Sequence, residues 1–383
     1  MTVARLLCAL GVASLLASCA SPPPPPALRI GLIGVFDGPA RHSSGMPARL
    51  AARMAIDEIN ATGGALIDGV SHRLILIERE TPNRPDAAAA AARALITLDS
   101  VDVLVGPQFS ALAIAAGAVA EESQVPLVAP MASSPQVTTG RSYVMRLTFL
   151  DADQGEVLAR YAFDSLGRRR TAALFPAASE HGRSMVERYG RTFTTRGGRM
   201  LAADTYHIDD TGDQAAQIQR LMREAPDAVL LPDLSLGDSS QVRLFREAGF
   251  RGPFLGSDAW DAIALRGRQD IDGSIIVGNW DGRSDREGVR TFRARWNARY
   301  LGERPRATGA ATYDAIRLIA RAAERARARS GMALATALRT GAPFDGAFAS
   351  YRFDGSGDPI RGATLLEMDK DSLLFRGTLP TRH

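Results

Sequence analysis

The chain has 383 residues, 45% of them apolar and 23% charged, with a formal net charge of +4 at pH 7. This length exceeds what one compact core usually holds, so two lobes are expected. The basic charge is almost all arginine, scattered among 42 acidic residues, and without a basic stripe carrying interleaved aromatic residues nothing favours nucleic acid as a partner.

Residues 1–18 are predicted to be a lipoprotein signal peptide. An apolar stretch at 6–16 is too short to span a bilayer as a helix. It ends in Leu16-Ala17-Ser18-Cys19, which resembles the bacterial lipobox, where the leader is removed and the cysteine becomes the lipid-bearing first residue. The alternative is an ordinary secretory signal with a chance cysteine. The proline-rich residues 19–27 then form an extended tether. The other cysteine, Cys8, lies in the leader, so no disulfide is expected in the fold.

Strands and helices are predicted to alternate after the tether. Strands are expected at 28–36, 74–77, 101–105 and 125–129, and helices at 44–62, 85–98 and 110–123. The strands are continuous apolar runs without alternation, which is typical of a parallel sheet with helices on both faces.

The pattern restarts after Arg146. Helices are predicted at 153–166, 184–196, 214–223 and 239–248, and strands at 171–175, 200–206, 227–231, 254–255 and 275–277. Helices at 287–300, 309–327 and 332–339 follow, and then strands at 348–353 and 363–368. An ending that switches from helices to strands indicates that the chain crosses between lobes more than once.

The predicted fold is therefore α/β, with two Rossmann-like lobes that each hold a parallel sheet flanked by helices and are linked by a hinge. The first lobe is assigned residues 28–147 and 282–345, and the second lobe residues 148–281 and 346–383. A cleft between two such lobes is a usual place for a small ligand to bind.

Catalytic motifs are missing from the chain. It has no dinucleotide fingerprint, no phosphate-binding loop, no nucleophile elbow and no HExxH zinc motif. The five histidines lie far apart, without partners at metal-ligand spacing. We therefore expect no cofactor, no metal and no catalytic activity. The alternative, an enzyme, would need a histidine–carboxylate cluster in the cleft.

Polar turns follow two consecutive strands of the first lobe. Ser110 follows one strand and Ser133 the next, and each turn presents hydroxyl and backbone N–H groups that suit a carboxylate. Asp258 follows a strand of the second lobe, where it could hold an ammonium group. Each of these residues could instead only cap a helix.

The order of several motifs resembles that of the leucine/isoleucine/valine-binding proteins of branched-chain amino-acid ABC importers, which are type I periplasmic solute-binding proteins. The resemblance covers residues 28–370. Its markers are Gly38-Pro39, Ala55-Ile56-Asp57-Glu58-Ile59-Asn60 with Gly63-Gly64, the Gly106 turn, Pro130 to Pro135, Arg146 with Asp151 and Asp153-Gln154-Gly155, Phe245-Arg246-Glu247-Ala248-Gly249, and Thr312-Tyr313-Asp314-Ala315.

This resemblance implies the roles of the site residues. Ser110 and Ser133 would hold the carboxylate of the ligand, the backbone at Met131 would help to hold its amino group, and Asp258 would pair with that group. His181 stands where the family has a cleft tyrosine, and two further tyrosines are replaced, near Leu234 and near Ser43 or Ser44. His181 is expected either to add a polar or pH-sensitive contact to the ligand or to face solvent from a loop.

Together with the lipobox, this resemblance implies a lipid-anchored substrate-binding protein on the periplasmic side of a bacterial membrane. It would bind an amino acid or an amino-acid-like molecule and pass it to an ABC permease. An outer-membrane lipoprotein regulator or sensor with the same fold is the alternative. Ala20, which follows the lipid cysteine, lacks the aspartate associated with inner-membrane retention and so favours that alternative. Neighbouring permease and ATPase genes would discriminate between the two.

Overall fold

A computed structural model describes residues 26–207, 214–233, 240–260, 267–370 and 372–381. The predicted signal peptide, Cys19 and Leu234 lie outside the described residues. The described core residues begin at Leu28, directly after the tether. A chain that starts at Ala27 therefore contains the described cores of both lobes.

The first lobe is built on a six-stranded sheet with the strand order β2-β3-β1-β4-β5-β6. Its strands are β1 Ala27–Gly34, β2 Ala65–Ile67, β3 Val70–Glu80, β4 Val103–Val105, β5 Leu127–Ala129 and β6 Val144–Arg146. Its first helices are α1 Met46–Ala61, α2 Pro85–Thr97 and α3 Ser110–Glu122. All pairs are parallel except β2 with β3, a hairpin at the edge that the sequence prediction missed.

The second lobe holds a seven-stranded sheet in the order β16-β15-β11-β10-β9-β7-β8. Its strands are β7 Arg170–Pro176, β8 Arg199–Tyr206, β9 Ala228–Leu231, β10 Phe254–Gly256, β11 Ile275–Gly278, β15 Gly362–Asp369 and β16 Ser372–Pro380. Its helices are α4 Asp151–Arg160, α5 Glu180–Thr195, α6 Gln214–Arg223 and α7 Ser240–Glu247. β15 pairs antiparallel with β11 at the edge of the parallel strands, and β16 pairs antiparallel with β15.

The chain then returns to the first lobe with helices α8 Glu287–Arg299, α9 Ala307–Ala326 and α10 Gly331–Arg339 and a small sheet of β12 Phe344–Asp345, β13 Ser350–Phe353 and β14 Pro359–Ile360. Phe348 and Tyr351 are buried in the same core as α9 and the first sheet. The predicted return to the second lobe at residue 346 is therefore too early, because these two side chains complete the first core before β15 begins.

The lobes are joined by three segments, which we call crossings. The first crossing, residues 147–150, leads from β6 to α4; the second, 279–286, leads from β11 to α8; and the third, 354–361, leads from β13 to β15. Two α/β lobes with parallel-rich mixed sheets confirm the predicted fold class.

Candidate functional site

The polar turns of the first lobe follow the carboxyl ends of β4 and β5. Gly106 begins the first turn with φ of +85°, and a Cβ atom there would lie 2.3 Å from the carbonyl oxygen of Ile33, so glycine is required. Ser110 is the first residue of α3, and its hydroxyl accepts a hydrogen bond from the backbone N–H of Ser134 at 3.2 Å. Ser110 thus links the two turns and does not cap α3. The half-buried Met131 lies in the second turn and packs against the core of the first lobe.

A chain of polar contacts runs from the second turn into the second lobe. The Ser133 side chain lies beside the Asp151 carboxylate at the start of α4 and helps to lower the pKa of that carboxyl group. An Oδ1 oxygen of Asp151 lies 2.9 Å from Nδ1 of His181, in the first turn of α5. Nε2 of His181 lies 2.9 Å from the Ser257 hydroxyl, which donates to the backbone carbonyl of Pro232 at 2.6 Å. Ser133 and His181 therefore belong to one network that joins the lobes, and both ring nitrogens of His181 are engaged.

Asp258, next to Ser257, is held by two amide side chains. Nε2 of Gln154 donates to one carboxylate oxygen of Asp258 at 2.7 Å, and Nδ2 of Asn279 donates to the other. The backbone N–H of Asp258 donates to Oε1 of Gln154 at 3.0 Å, so Gln154 clamps the residue from both sides. The Asp258 side chain therefore belongs to a polar network.

The charges of the cluster depend on one another. Burial lowers the pKa of His181, but the carboxylates of Asp151, Asp258 and Asp233 outweigh it and raise the pKa to about 9. Burial raises the pKa of Asp151, but the His181 ring and the Ser133 hydroxyl outweigh it, so the pKa lies below its usual value. At pH 7 these two residues form an ion pair. Burial also raises the pKa of Asp258, whose donors are neutral amides.

The structure therefore brings Ser133, His181 and Asp258 together, with Ser110 attached through Ser134. Sequence reasoning did not assign a site role to Asp151, Gln154 or Asn279. Asp151 and Gln154 lie in a motif noted from the sequence, at the first turn of the helix that follows the first crossing. Their position could have indicated a site role from the sequence, because a helix that directly follows a crossing begins at the cleft. Asn279, at the second crossing, carried no comparable signal.

Cavities and metal ligands add little to this picture. Among the described residues, no group of three or more histidine, cysteine, aspartate or glutamate side chains is arranged to hold a metal ion. A cavity of about 730 Å³ lies beside the crossings, with Trp280, Arg286 and Arg361 in its wall; Ser133 and Asp258 do not line it. Within the same described ranges, no helix has the length and apolar character needed to cross a membrane.

Two α/β lobes with three crossings and polar strand ends facing each other define the class of two-lobed solute-binding proteins. A family model described as periplasmic binding protein matches residues 27–372. The chain belongs to this family, which confirms the resemblance inferred from the sequence motifs. Membership implies an extracytoplasmic location and, because the relatives are binding proteins, confirms the expectation that the chain is not an enzyme.

Individual relatives are distant. The leucine-specific-binding protein of Salmonella typhimurium is 24% identical over 232 residues, which span 60% of this chain and 61% of that protein. The isoleucine complex of the branched-chain amino-acid transporter substrate-binding protein of Streptococcus pneumoniae superposes with a TM-score of 0.76 at 23% identity, over 92% of this chain and 99% of that one. A solute-binding protein from Rhodopseudomonas palustris in complex with 3,4-dihydroxybenzoic acid gives 0.73 at 19% identity, over 93% and 98%.

Proposed function

We propose that the protein is the substrate-binding protein of an ABC importer and binds an amino acid or an amino-acid-like molecule between its lobes. The observation that carries this proposal is Asp258, a carboxylate that two neutral amides hold in place in the second lobe, with a polar turn of the first lobe joined to the same cluster through Ser133. A zwitterion would place its ammonium group at Asp258 and its carboxylate at the first-lobe turns.

The carboxylate of the ligand has donors available at the start of α3. The first backbone N–H groups of a helix have no partner within the helix and carry partial positive charge. Ser110 lies at that end, and its hydroxyl already accepts a hydrogen bond, so its hydrogen is free to be donated to a ligand. Ser133 differs, because its side chain lies beside the Asp151 carboxylate, whose negative charge would oppose a ligand carboxylate at that position. We therefore assign the carboxylate mainly to Ser110 and the α3 N-terminus.

The decisive experiment begins with a thermal-shift screen of the twenty L-amino acids and benzoate against residues 27–383. A ligand present at a hundredfold its dissociation constant stabilises the folded state by about 2.7 kcal/mol. Calorimetric titration of variants then tests the roles. Asp258→Asn leaves the ammonium group buried without its partner, which typically costs about 2–5 kcal/mol of binding free energy. Ser110→Ala removes one hydrogen bond to a charged group, so a smaller loss of about 1.5–3 kcal/mol is expected.

The matched control is Asp233→Asn, which removes a carboxylate from the same cluster but not the proposed partner of the ammonium group. Asp233 accepts a hydrogen bond from the Ser179 hydroxyl at 2.8 Å. This variant is expected to retain affinity within a few-fold, whereas an amide or des-amino analogue should regain relative affinity in the variant that lacks the matching group. Wild-type affinity in Asp258→Asn would refute the amino-acid assignment.

A second candidate ligand is an aromatic carboxylate, because a structural neighbour binds 3,4-dihydroxybenzoic acid. Such a ligand has no ammonium group, so its binding would tolerate or prefer Asp258→Asn, and the same titrations separate the two classes. We further propose that Cys19 carries a lipid anchor and that the closed form docks on an ABC permease. An outer-membrane regulator would show the same ligand binding without permease genes beside its own.

A further inference from the structure

One buried arginine contacts all three crossings. Arg361 lies at the end of the third crossing and is 4% exposed. Its Nη1 donates to the carbonyl of Leu147, in the first crossing, at 3.3 Å, and its Nη2 donates to the carbonyl of Asn279, in the second crossing, at 2.5 Å. The guanidinium of a residue in the third crossing thus donates to backbone carbonyl groups of the other two crossings. A planar fork of five donors suits such a position better than any other side chain does.

Aromatic rings hold this guanidinium from both lobes. Its central carbon lies 4.2 Å from the ring centroid of Phe348, in the first core, and 5.0 Å from that of Phe149, in the first crossing. A cation over an aromatic face is attracted electrostatically, and more strongly when water is excluded. Burying a charge is otherwise unfavourable, so the carbonyls and the rings together keep Arg361 in one place.

Asn279 connects this arginine to the proposed binding site. Its backbone carbonyl accepts from Arg361, and its side-chain Nδ2 donates to Asp258. Its Oδ1 accepts a hydrogen bond from the Thr148 hydroxyl, in the first crossing, at 2.7 Å. A displacement of the second crossing would therefore move a hydrogen-bond donor of Asp258.

We propose that Arg361 is a positioning residue, which fixes the three crossings relative to one another and, through Asn279, holds Asp258 in the orientation that binds the ligand. The part of this inference that concerns Asp258 rests on the proposed function. Arg361 touches no ligand; it narrows the range of lobe arrangements, so that closure starts from a defined geometry.

The test compares Arg361→Met with a matched control, Arg246→Met. Arg246 also donates to three backbone carbonyls and lies over two aromatic rings, but at the amino end of β10, the edge opposite to Asp258. Because both native cysteines precede residue 27, single cysteines can be placed in the chain from Ala27. Spin labels at Asp37 and Arg183, exposed residues of the two lobes, report the interlobe distance by pulsed electron paramagnetic resonance.

In Arg361→Met we expect a clearly broader interlobe distance distribution and affinities for the amino acids that the wild type binds, out of the twenty L-amino acids used as probes, lower by roughly 2- to 30-fold with their order unchanged. Arg246→Met should keep the interlobe distance distribution and the amino-acid affinities of the wild type. A distribution and affinities equal to those of the wild type in Arg361→Met would overturn the proposal, as would equal effects in both variants.

A second variant covers the case in which Arg361→Met does not fold. Thr148→Val is nearly isosteric and removes the hydrogen bond to Asn279, so a smaller broadening in the same direction is expected, and an unchanged distribution refutes the coupling. If the wild type binds none of the twenty amino acids, the proposed function fails on its own account. The distance distributions then decide the role of Arg361 at the crossings.

Discussion

The ion pair between His181 and Asp151 predicts a pH dependence of stability. The pKa of His181 is raised from 6.5 to about 9 in the folded protein, since nearby carboxylates outweigh the effect of burial. A histidine whose folded pKa lies above its unfolded pKa binds its proton more tightly in the folded state. Its contribution to the free energy of unfolding is therefore fully present below pH 6.5 and is lost as the pH rises through 9.

The size of this contribution follows from the two pKa values. At 1.36 kcal/mol for each pKa unit, the difference corresponds to at most about 3 kcal/mol. The side chain of His181 is 21% exposed, so solvent screens part of the attraction and the measured value should fall somewhat below this limit. Asp151, whose pKa is lowered, stays ionised across this range and adds no slope of its own.

Urea unfolding of residues 27–383 at pH 6, 7, 8 and 9 measures the effect. The difference in free energy of unfolding between the wild type and His181→Asn should be largest at pH 6 and nearly absent at pH 9. His207→Asn is the control, because His207 is an exposed residue after β8. Parallel pH profiles for the wild type and His181→Asn would refute the ion pair as the source of the slope.

Two further predictions concern packing and anchoring. Gly155→Ala in α4 would place a Cβ atom 2.1 Å from the Met185 carbonyl oxygen and should lower the free energy of unfolding by about 1–3 kcal/mol. Gly190→Ala in the neighbouring α5, where the nearest atom lies at 3.9 Å, should raise it by up to about 1 kcal/mol; equal shifts in urea unfolding would contradict this. Cys19→Ala should leave the protein without its lipid, so a variant whose N-terminus is correctly processed and which still resists a high-salt wash from membranes would refute the anchor.

The alternation of strands and helices was predictable because each element carries its own signal. Apolar runs such as Val103–Val105 are buried on both faces of a parallel sheet and need no alternation. The carboxyl ends of neighbouring parallel strands share an edge of their sheet, so the sequence alone predicts that the polar residues after β4 and β5 lie together. The residue after β10 lies at the corresponding edge of the second sheet. Local sequence thus predicts the fold class and indicates where the candidate site lies.

The partners of those residues could not be predicted, because they come from distant parts of the chain. Asn279 is separated from Asp258 by 21 positions in the sequence and from Arg361 by 82. Contacts between residues so far apart produce no periodic pattern in the sequence. His181 was expected to contact the ligand or solvent, yet its two nitrogens are taken by Asp151 and Ser257. Likewise, the boundary of the first lobe depends on which core Phe348 packs in, and this is decided by tertiary contacts and not by local sequence.

The arrangement of charges in the cleft favours a zwitterion over a simple anion or cation. Asp151 pairs directly with His181, whereas the described side chains that donate hydrogen bonds to Asp258 are neutral amides. Its raised pKa reflects this desolvation. An anion at the N-terminus of α3 would leave Asp258 without a cation in direct contact, and a cation at Asp258 would leave the helix end without an anion. The zwitterion that we propose as the ligand would satisfy both ends together and, because those ends belong to different lobes, would gain from closure.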